Sequence, residues 1–248
     1  MLAIGKRMPG DKAKKWETQA GRMFFKHRRV SYHLRCIDKC YSTMIGEMRI
    51  SADGRQPEEG DNSSYAGPLA EVLLFHLDGF FEAERSAHDF ILSFLRTASL
   101  LNAAPSSMYQ FYERVTKKPG IYVSDSPEVV EQLTAFWAKT GQRTKEYRDC
   151  LSHYVSLSGP TWQHAVNMKW RSGSWKATLN LPDNPGANSH TGFTFDANLD
   201  ALAVCAEINV QTERFLKLLM EACVTKWKAD AGDDQEMQIT LHNVRIGD

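Results

Sequence analysis

Residues 68–102, PLAEVLLFHLDGFFEAERSAHDFILSFLRTASLLN, decide the fold of this 248-residue chain. Their apolar side chains recur in steps of three and four, which is the period of a helix that turns one face to a core. The members of this apolar stripe are Leu69, Leu73, Leu77, Phe80, Ala87, Ile91, Phe94, Leu95 and Ala98. Further apolar residues flank the stripe, so we expect this helix to be central in a mainly α protein.

Helical spacing continues on both sides of this central segment. The other helical segments are residues 12–48, 106–116, Asp125 to about Leu157, and 198–228. A break near Gly21 would divide the first of them, and residues 51–66 have the composition of a loop. Long helices need lateral burial to be stable, and short connections let neighbouring helices run in opposite directions. We therefore predict an up-down bundle of about four long helices.

A small antiparallel β element is predicted at about residues 160–196, before the last helix, because the apolar period changes there to two. The alternating residues are Val166, Met168, Trp170, Trp175, Ala177, Leu179 and Leu181, with a turn between Trp170 and Trp175. Phe193 and Phe195 suggest another short strand, and renewed alternation predicts a C-terminal strand at about residues 236–246. We interpret residues 1–248 as a single domain.

Tryptophans and basic residues are mixed in the β element. The residues concerned are Trp162, His164, Lys169, Trp170, Arg171, Trp175 and Lys176. Single-strand nucleic-acid binders use such rings as stacking platforms. Alternatively, the tryptophans pack the hairpin onto the helices.

The composition excludes several classes of protein. With 42% hydrophobic and 24% charged residues, the chain is neither disordered nor collagen-like. No apolar run reaches the roughly 20 residues that a bilayer requires, and the N-terminal stretch lacks the apolar core of a secretory signal. The five cysteines are an odd number, which favours thiols over a disulfide framework. We expect a cytoplasmic protein without a membrane partner.

The charge is balanced in total but not along the chain. The first forty residues contain eleven basic and three acidic residues, and Arg28 and Arg29 lie in this segment. A basic segment indicates a polyanionic partner such as RNA. The alternative is a solvated helix face whose charges are balanced by acidic residues of the same fold.

Several catalytic and metal-binding motifs are absent. The chain contains no glycine-rich phosphate loop, no serine-hydrolase elbow and no Glu-x-x-His pair of the di-metal helical bundles. His33, Cys36 and Cys40 could share a face of the first helix, but they lack a fourth ligand and the spacing of zinc sites. We favour buried thiols there, and we predict neither a metal nor a cofactor.

One constellation points to chemistry: Arg148, Asp149 and His153, near the end of the third long helix. The same five-residue step occurs at Arg22…His27 and Arg28…His33, but only Arg148 is followed by an acidic residue. At about 100° per residue, His153 lies about 160° from the middle of the apolar stripe of its helix, beside Asp149. A neighbouring carboxylate favours and orients a charged imidazole.

This constellation resembles the Arg-polar-x-x-x-His motif of the HEPN family. Members of that family are helical bundles, often dimeric, and many are metal-independent or toxin-type ribonucleases. The resemblance implies a catalytic site of Arg148, Asp149 and His153 at the interface of a homodimer. It also implies an RNA substrate and an antitoxin-like protein partner. The residue types suit the reaction, because imidazole transfers protons near neutral pH and guanidinium binds phosphate oxygens.

A non-catalytic interpretation stays open. Arg148 could pair with the acidic face of the central helix, at Asp78, Glu82 and Asp89, and His153 could be an ordinary surface residue. The protein would then be an interaction module that binds a protein or a nucleic acid. Glu84 lies near the middle of the apolar stripe, where a carboxylate should be paired or have a raised pKa. It either supports Arg148 or acts as an acid of the site; alternatively, it forms a buried ion pair or lies where the helix emerges from the core.

Overall fold

The computed structural model describes residues 10–51, 56–65, 67–103, 105–122, 127–153, 166–187 and 192–231. Within them the chain is mainly helical, and a small four-stranded antiparallel sheet precedes the last helix. The predicted fold class is confirmed. No helix in these ranges combines the length and the apolar character that crossing a bilayer would require.

The helices follow the predicted segments closely. Their bounds are α1 (Gly10–Ser51), α2 (Pro68–Thr97), α3 (Met108–Lys117), α4 (Pro127–Phe136), α5 (Gln142–His153) and α6 (Ala201–Ala231). A π-helical turn, Trp137–Gly141, joins α4 directly to α5, so one helical segment runs over 127–153. The break considered near Gly21 is wrong, because α1 is continuous. A helix-interior glycine costs only about 1 kcal/mol, and the buried Ala20 and Met23 beside it supply packing.

The sheet has the strand order β1-β2-β3-β4, and all neighbours are antiparallel. The strands are β1 (Asn62–Tyr65), β2 (Val166–Arg171), β3 (Ser174–Leu181) and β4 (Leu199–Asp200). The predicted hairpin is therefore confirmed. Ser172 and Gly173 connect β2 to β3 with φ of 50° and 76°, as a two-residue hairpin turn of type I′ requires.

One loop prediction and one strand prediction are wrong. Residues 62–65 lie in the segment interpreted as a loop, and they form β1 because β2 supplies the hydrogen-bonding partner for a polar stretch that has no pattern of its own. Phe193 and Phe195 form no strand, since Leu199–Asp200 takes the place beside the end of β3. The predicted C-terminal strand at 236–246 lies outside the described residues.

The contacts between Cα atoms divide the chain into two compact units. Within the described residues, unit 1 comprises residues 10–26, 87–139 and 213–231, and unit 2 comprises residues 27–86 and 140–212. Helices α1, α2 and α6 contribute residues to both. The single domain over 1–248 stays a prediction.

Unit 1 has a core rich in aromatic rings. Phe136 stacks on Phe215 with ring centroids 4.0 Å apart, and the buried His88 meets Phe136 edge-on at 4.9 Å. Asp89 accepts a hydrogen bond of 2.8 Å from the backbone N–H of Met108, at the start of α3. His88 and Asp89 thus have structural contacts within this unit.

Unit 2 packs the sheet against helices. The Tyr41 hydroxyl of α1 donates to Asp200 at 2.9 Å and accepts from the Leu179 N–H at 3.0 Å, which ties α1 to β3 and β4. Trp175 is buried, and Trp170 packs against the same core with its ring 5.6 Å from that of Trp175. The packing interpretation is confirmed for these two tryptophans, whereas Trp162 lies outside the described residues.

Candidate functional site

Helix α5 is anchored immediately beside the Arg148 motif. The Tyr147 hydroxyl donates to the carbonyl of Pro182 at 3.0 Å, and its buried ring lies 5.2 Å from that of Phe81. Cys150 and Leu151 are buried on the same helix. Because these residues hold one face of α5 in the core, Arg148 and Asp149 lie at its edge, with side chains 32% and 28% exposed.

Arg148 lies between two carboxylates. Its Nη1 donates to Asp149 Oδ1 at 2.8 Å, and its Nε is 3.1 Å from Glu82 Oε1, a contact that is an ion pair without hydrogen-bond geometry. The predicted alternative, in which Arg148 pairs with the acidic face of α2, is confirmed for Glu82. Asp78 belongs to the same surface: burial and the charge of Glu82 raise its pKa, although Arg148 acts in the opposite direction.

Asp149 is held as a carboxylate. Its Oδ2 accepts a hydrogen bond of 2.6 Å from Lys145, one turn earlier on α5. Partial burial acts to raise the pKa of Asp149, but the hydrogen bond and charge of Lys145, together with Arg148, outweigh it and lower the pKa. The group can therefore accept hydrogen bonds at neutral pH but cannot act as an acid there.

His153 is the last residue of α5. The backbone thus places it on the same helix as Arg148 and Asp149, and one turn after Asp149. Its side chain lies outside the described part of the structure. The motif is therefore helical over its whole length, as the sequence predicts.

Glu84 lies in the interior of unit 2, on α2. Its side chain is fully buried, and Oε2 accepts a hydrogen bond of 3.2 Å from the Thr212 hydroxyl of α6. Burial, followed by the charge of Glu84, raises the pKa of the neighbouring Cys205 thiol. Glu82, two residues earlier on α2, forms the ion pair with Arg148, and support of Arg148 by Glu84 stays a prediction.

The predicted RNA-binding residues lie on the exposed side of α1. Arg28 and Arg29 are exposed, and so are Arg35 and Lys39 further along the helix. Within the described ranges these four side chains make no ion pair, in contrast to Arg148. These basic side chains thus form an exposed positive row on α1.

Sequence reasoning missed a histidine pair between α1 and α2. His33 Nδ1 and His76 Nδ1 are 3.3 Å apart, and the ring of Tyr32 packs near both. Burial lowers the pKa of His33, and the charges of His76 and Arg29 lower it further. The only signal in the sequence is that both residues lie on predicted helices, because the contact joins positions far apart in the chain.

The cysteines and the potential metal ligands were the remaining candidates for a site in the residues that the structure covers. All five cysteines are free thiols, and burial raises the pKa of Cys40. No cluster of three or more His, Cys, Asp or Glu side chains there is arranged to hold a metal ion. His33, Cys36 and Cys40 lie on α1, where Cys40 is buried and Cys36 is half-buried.

Neither a protein-family model, nor a curated protein, nor a solved structure matches the chain. The resemblance to the HEPN family therefore depends on the motif at Arg148 and His153 and on the helical architecture.

Proposed function

We propose that this protein is a HEPN-like, metal-independent endoribonuclease of the cytoplasm, with Arg148 and His153 as the reactive pair at a homodimer interface. The observation that carries the proposal is that Arg148 and His153 lie on one helix while Asp149 holds the Arg148 guanidinium through a hydrogen bond of 2.8 Å. An arginine whose position is already defined loses less entropy when it binds phosphate.

In the proposed reaction an imidazole of His153 removes the proton from the ribose 2′-hydroxyl. The 2′-oxygen attacks phosphorus, the bond to the 5′-oxygen breaks, and a second imidazole supplies the proton to this leaving oxygen. A cyclic 2′,3′-phosphate and a 5′-hydroxyl result. The dimer would supply the second imidazole, and Arg148 would stabilise the charge that develops on the phosphate oxygens.

The carboxylates of Glu82 and Asp149 compete with a phosphate for the Arg148 guanidinium. A phosphate must replace Glu82 as the partner of the Arg148 Nε. A partly exposed ion pair contributes only about 0–1 kcal/mol to stability. A bidentate phosphate contact can compensate for the loss of the ion pair with Glu82.

Cleavage of RNA in the presence of EDTA tests the proposal. We expect the wild-type chain to cut a labelled single-stranded RNA, and we expect His153→Ala and Arg148→Ala to lower the rate at least about 100-fold. Arg214→Ala, at an exposed position of α6, is the matched control and should keep full activity. RNA that stays intact with the wild-type protein, with or without added metal, would contradict the proposal.

A second candidate function is a non-catalytic module that binds RNA or a protein such as an antitoxin. The ion pairs of Arg148 with Glu82 and Asp149 favour it, because they give this arginine a structural role. In this case the exposed α1 residues Arg28 and Arg29 carry the interaction, and His153 is dispensable.

A further inference from the structure

Two imidazoles of unit 2 face each other between α1 and α2. His33 of α1 and His76 of α2 are half-buried, and their Nδ1 atoms are 3.3 Å apart. The ring of Tyr32 lies edge-on beside both, with centroids 5.3 and 6.0 Å away. The His33 ring also fills space left by Gly79, because a Cβ atom there would overlap with it. Both imidazoles therefore have a defined position that does not depend on a ligand.

The separation of the two Nδ1 atoms matches a shared metal ion. Zinc binds imidazole nitrogen at roughly 2.0–2.1 Å in a tetrahedral arrangement, so two nitrogens on one ion lie roughly 3.3–3.4 Å apart. The observed 3.3 Å agrees with this value. A hydrogen bond between the rings is the alternative, but the separation is longer than the roughly 2.9–3.0 Å that is usual for an N–H donor. The spacing thus suits a tetrahedral ion better than a strong hydrogen bond.

The protonation of the pair also suits a metal ligand. Metals bind neutral imidazole, because the nitrogen that binds must offer a lone pair. Burial lowers the pKa of His33, and the charges of His76 and Arg29 lower it further, so this ring is neutral at physiological pH. A neutral ring can keep its single proton on Nε2 and present the lone pair of Nδ1.

We infer that His33 and His76 together bind one divalent ion that prefers imidazole, and that zinc fits the pair best. Imidazole suits zinc, copper and nickel, whereas magnesium and calcium prefer oxygen ligands. In the part of the chain that the structure describes, no third His, Cys, Asp or Glu side chain joins the pair, so water completes the coordination. The ion would link residues 43 positions apart in the chain and would therefore stabilise the folded state.

This pair is separate from the Arg148 motif. Glu82 is the residue of α2 that contacts Arg148, and it lies six residues after His76. Six residues correspond to roughly 9 Å along the axis of a helix. No step of the proposed RNA cleavage uses the ion, so the inference does not depend on the proposed function.

Calorimetric titration of the full, untagged chain with zinc, after treatment with EDTA and dialysis, tests the inference. We expect binding in the micromolar range, and we expect no binding of magnesium. His33→Gln and His76→Gln should each lower the zinc affinity at least about tenfold. His27→Gln, on the same helix as His33, is the matched control and should bind as wild type does. Arg29→Gln removes a positive charge near the pair and should raise the affinity a few-fold.

Three results would overturn the inference. They are unchanged zinc affinity in both glutamine variants of the pair, equal affinity for zinc and magnesium, and loss of binding in Cys36→Ser, which would assign the ion to the thiol. Thermal melting provides a second measurement, because zinc should raise the Tm of wild type but not that of either glutamine variant. Melting also identifies a variant that fails to fold, and the exposed position of Arg29 then decides. A chain that binds zinc but does not cleave RNA would contradict the proposed function alone.

Discussion

At the scale of single residues, arginines of this chain differ in burial and in ion pairing, although the residue type is the same. Arg148 is partly buried and paired with Glu82 and Asp149, whereas Arg28 is exposed and makes no ion pair within the described residues. Two carboxylate partners fix the orientation of a guanidinium, whereas a guanidinium without a carboxylate partner is available to an anionic ligand. The same residue type thus suits a defined site on α5 and a general electrostatic surface on α1.

The pH dependence of stability should report the burial of His33. Because the pKa of His33 is lowered in the folded state, the unfolded chain binds more protons once the pH falls below the ordinary histidine value. The free energy of unfolding should therefore decrease as the pH falls from about 7.5 to 5.5, and His33→Gln should remove part of this decrease.

Urea denaturation at a series of pH values measures this effect. His76→Gln removes one of the neighbours that lower the pKa of His33, so it should reduce the pH dependence less than His33→Gln does. An identical pH dependence of wild type and His33→Gln would show that His33 does not titrate differently in the folded chain.

At the scale of elements, one glycine of α2 allows the approach of α1. A Cβ atom at Gly79 would overlap with His33 Cε1, so the absence of a side chain makes room for the imidazole. Gly46 of α1 has no neighbouring atom within 4 Å of the corresponding position. The two glycines have the same helical conformation but different surroundings.

Alanine at these two positions should change stability in opposite directions. Gly79→Ala forces His33 out of its position and should destabilise the fold by about 1–3 kcal/mol. Gly46→Ala should stabilise it by about 0.5–1 kcal/mol, because alanine favours the helix. Chemical denaturation of both variants beside wild type measures the difference, and a stabilising Gly79→Ala would mean that His33 moves away at little cost.

At the scale of the whole molecule, the net charge of zero conceals an uneven distribution. Four exposed basic side chains of α1 make no ion pair within the described residues, whereas Glu82 of α2 forms an ion pair with Arg148. Binding of a polyanion should therefore depend on where the positive charge lies, and not on the total charge.

Charge reversal on two helices separates these effects. Arg28→Glu with Arg29→Glu should weaken binding of single-stranded RNA and reduce the slope of log K against log salt by about 0.7 for each lost phosphate contact. Arg214→Glu with Lys217→Glu alters the net charge by the same amount on exposed positions of α6 and should have a much smaller effect. Equal losses in the two double variants would show that only the net charge matters.

The sequence by itself determined the long helices and the hairpin. The apolar stripe from Leu73 to Leu95 became the buried face of α2, and the alternation around Ser172–Gly173 became β2 and β3. Both patterns are local: a helix or a hairpin repeats its geometry every few residues, so the spacing of apolar side chains is sufficient to indicate it.

Only the tertiary structure decided which distant residues meet. The pairing of β1 with β2, the ion pair of Glu82 with Arg148, and the contact of His33 with His76 each join segments more than forty residues apart. Local spacing carries no information about such contacts, because they depend on how helices and strands pack. For the same reason the motif placed Arg148 on a helix and the sequence offered three carboxylates of α2 as partners, whereas only the packing of α5 selected Glu82.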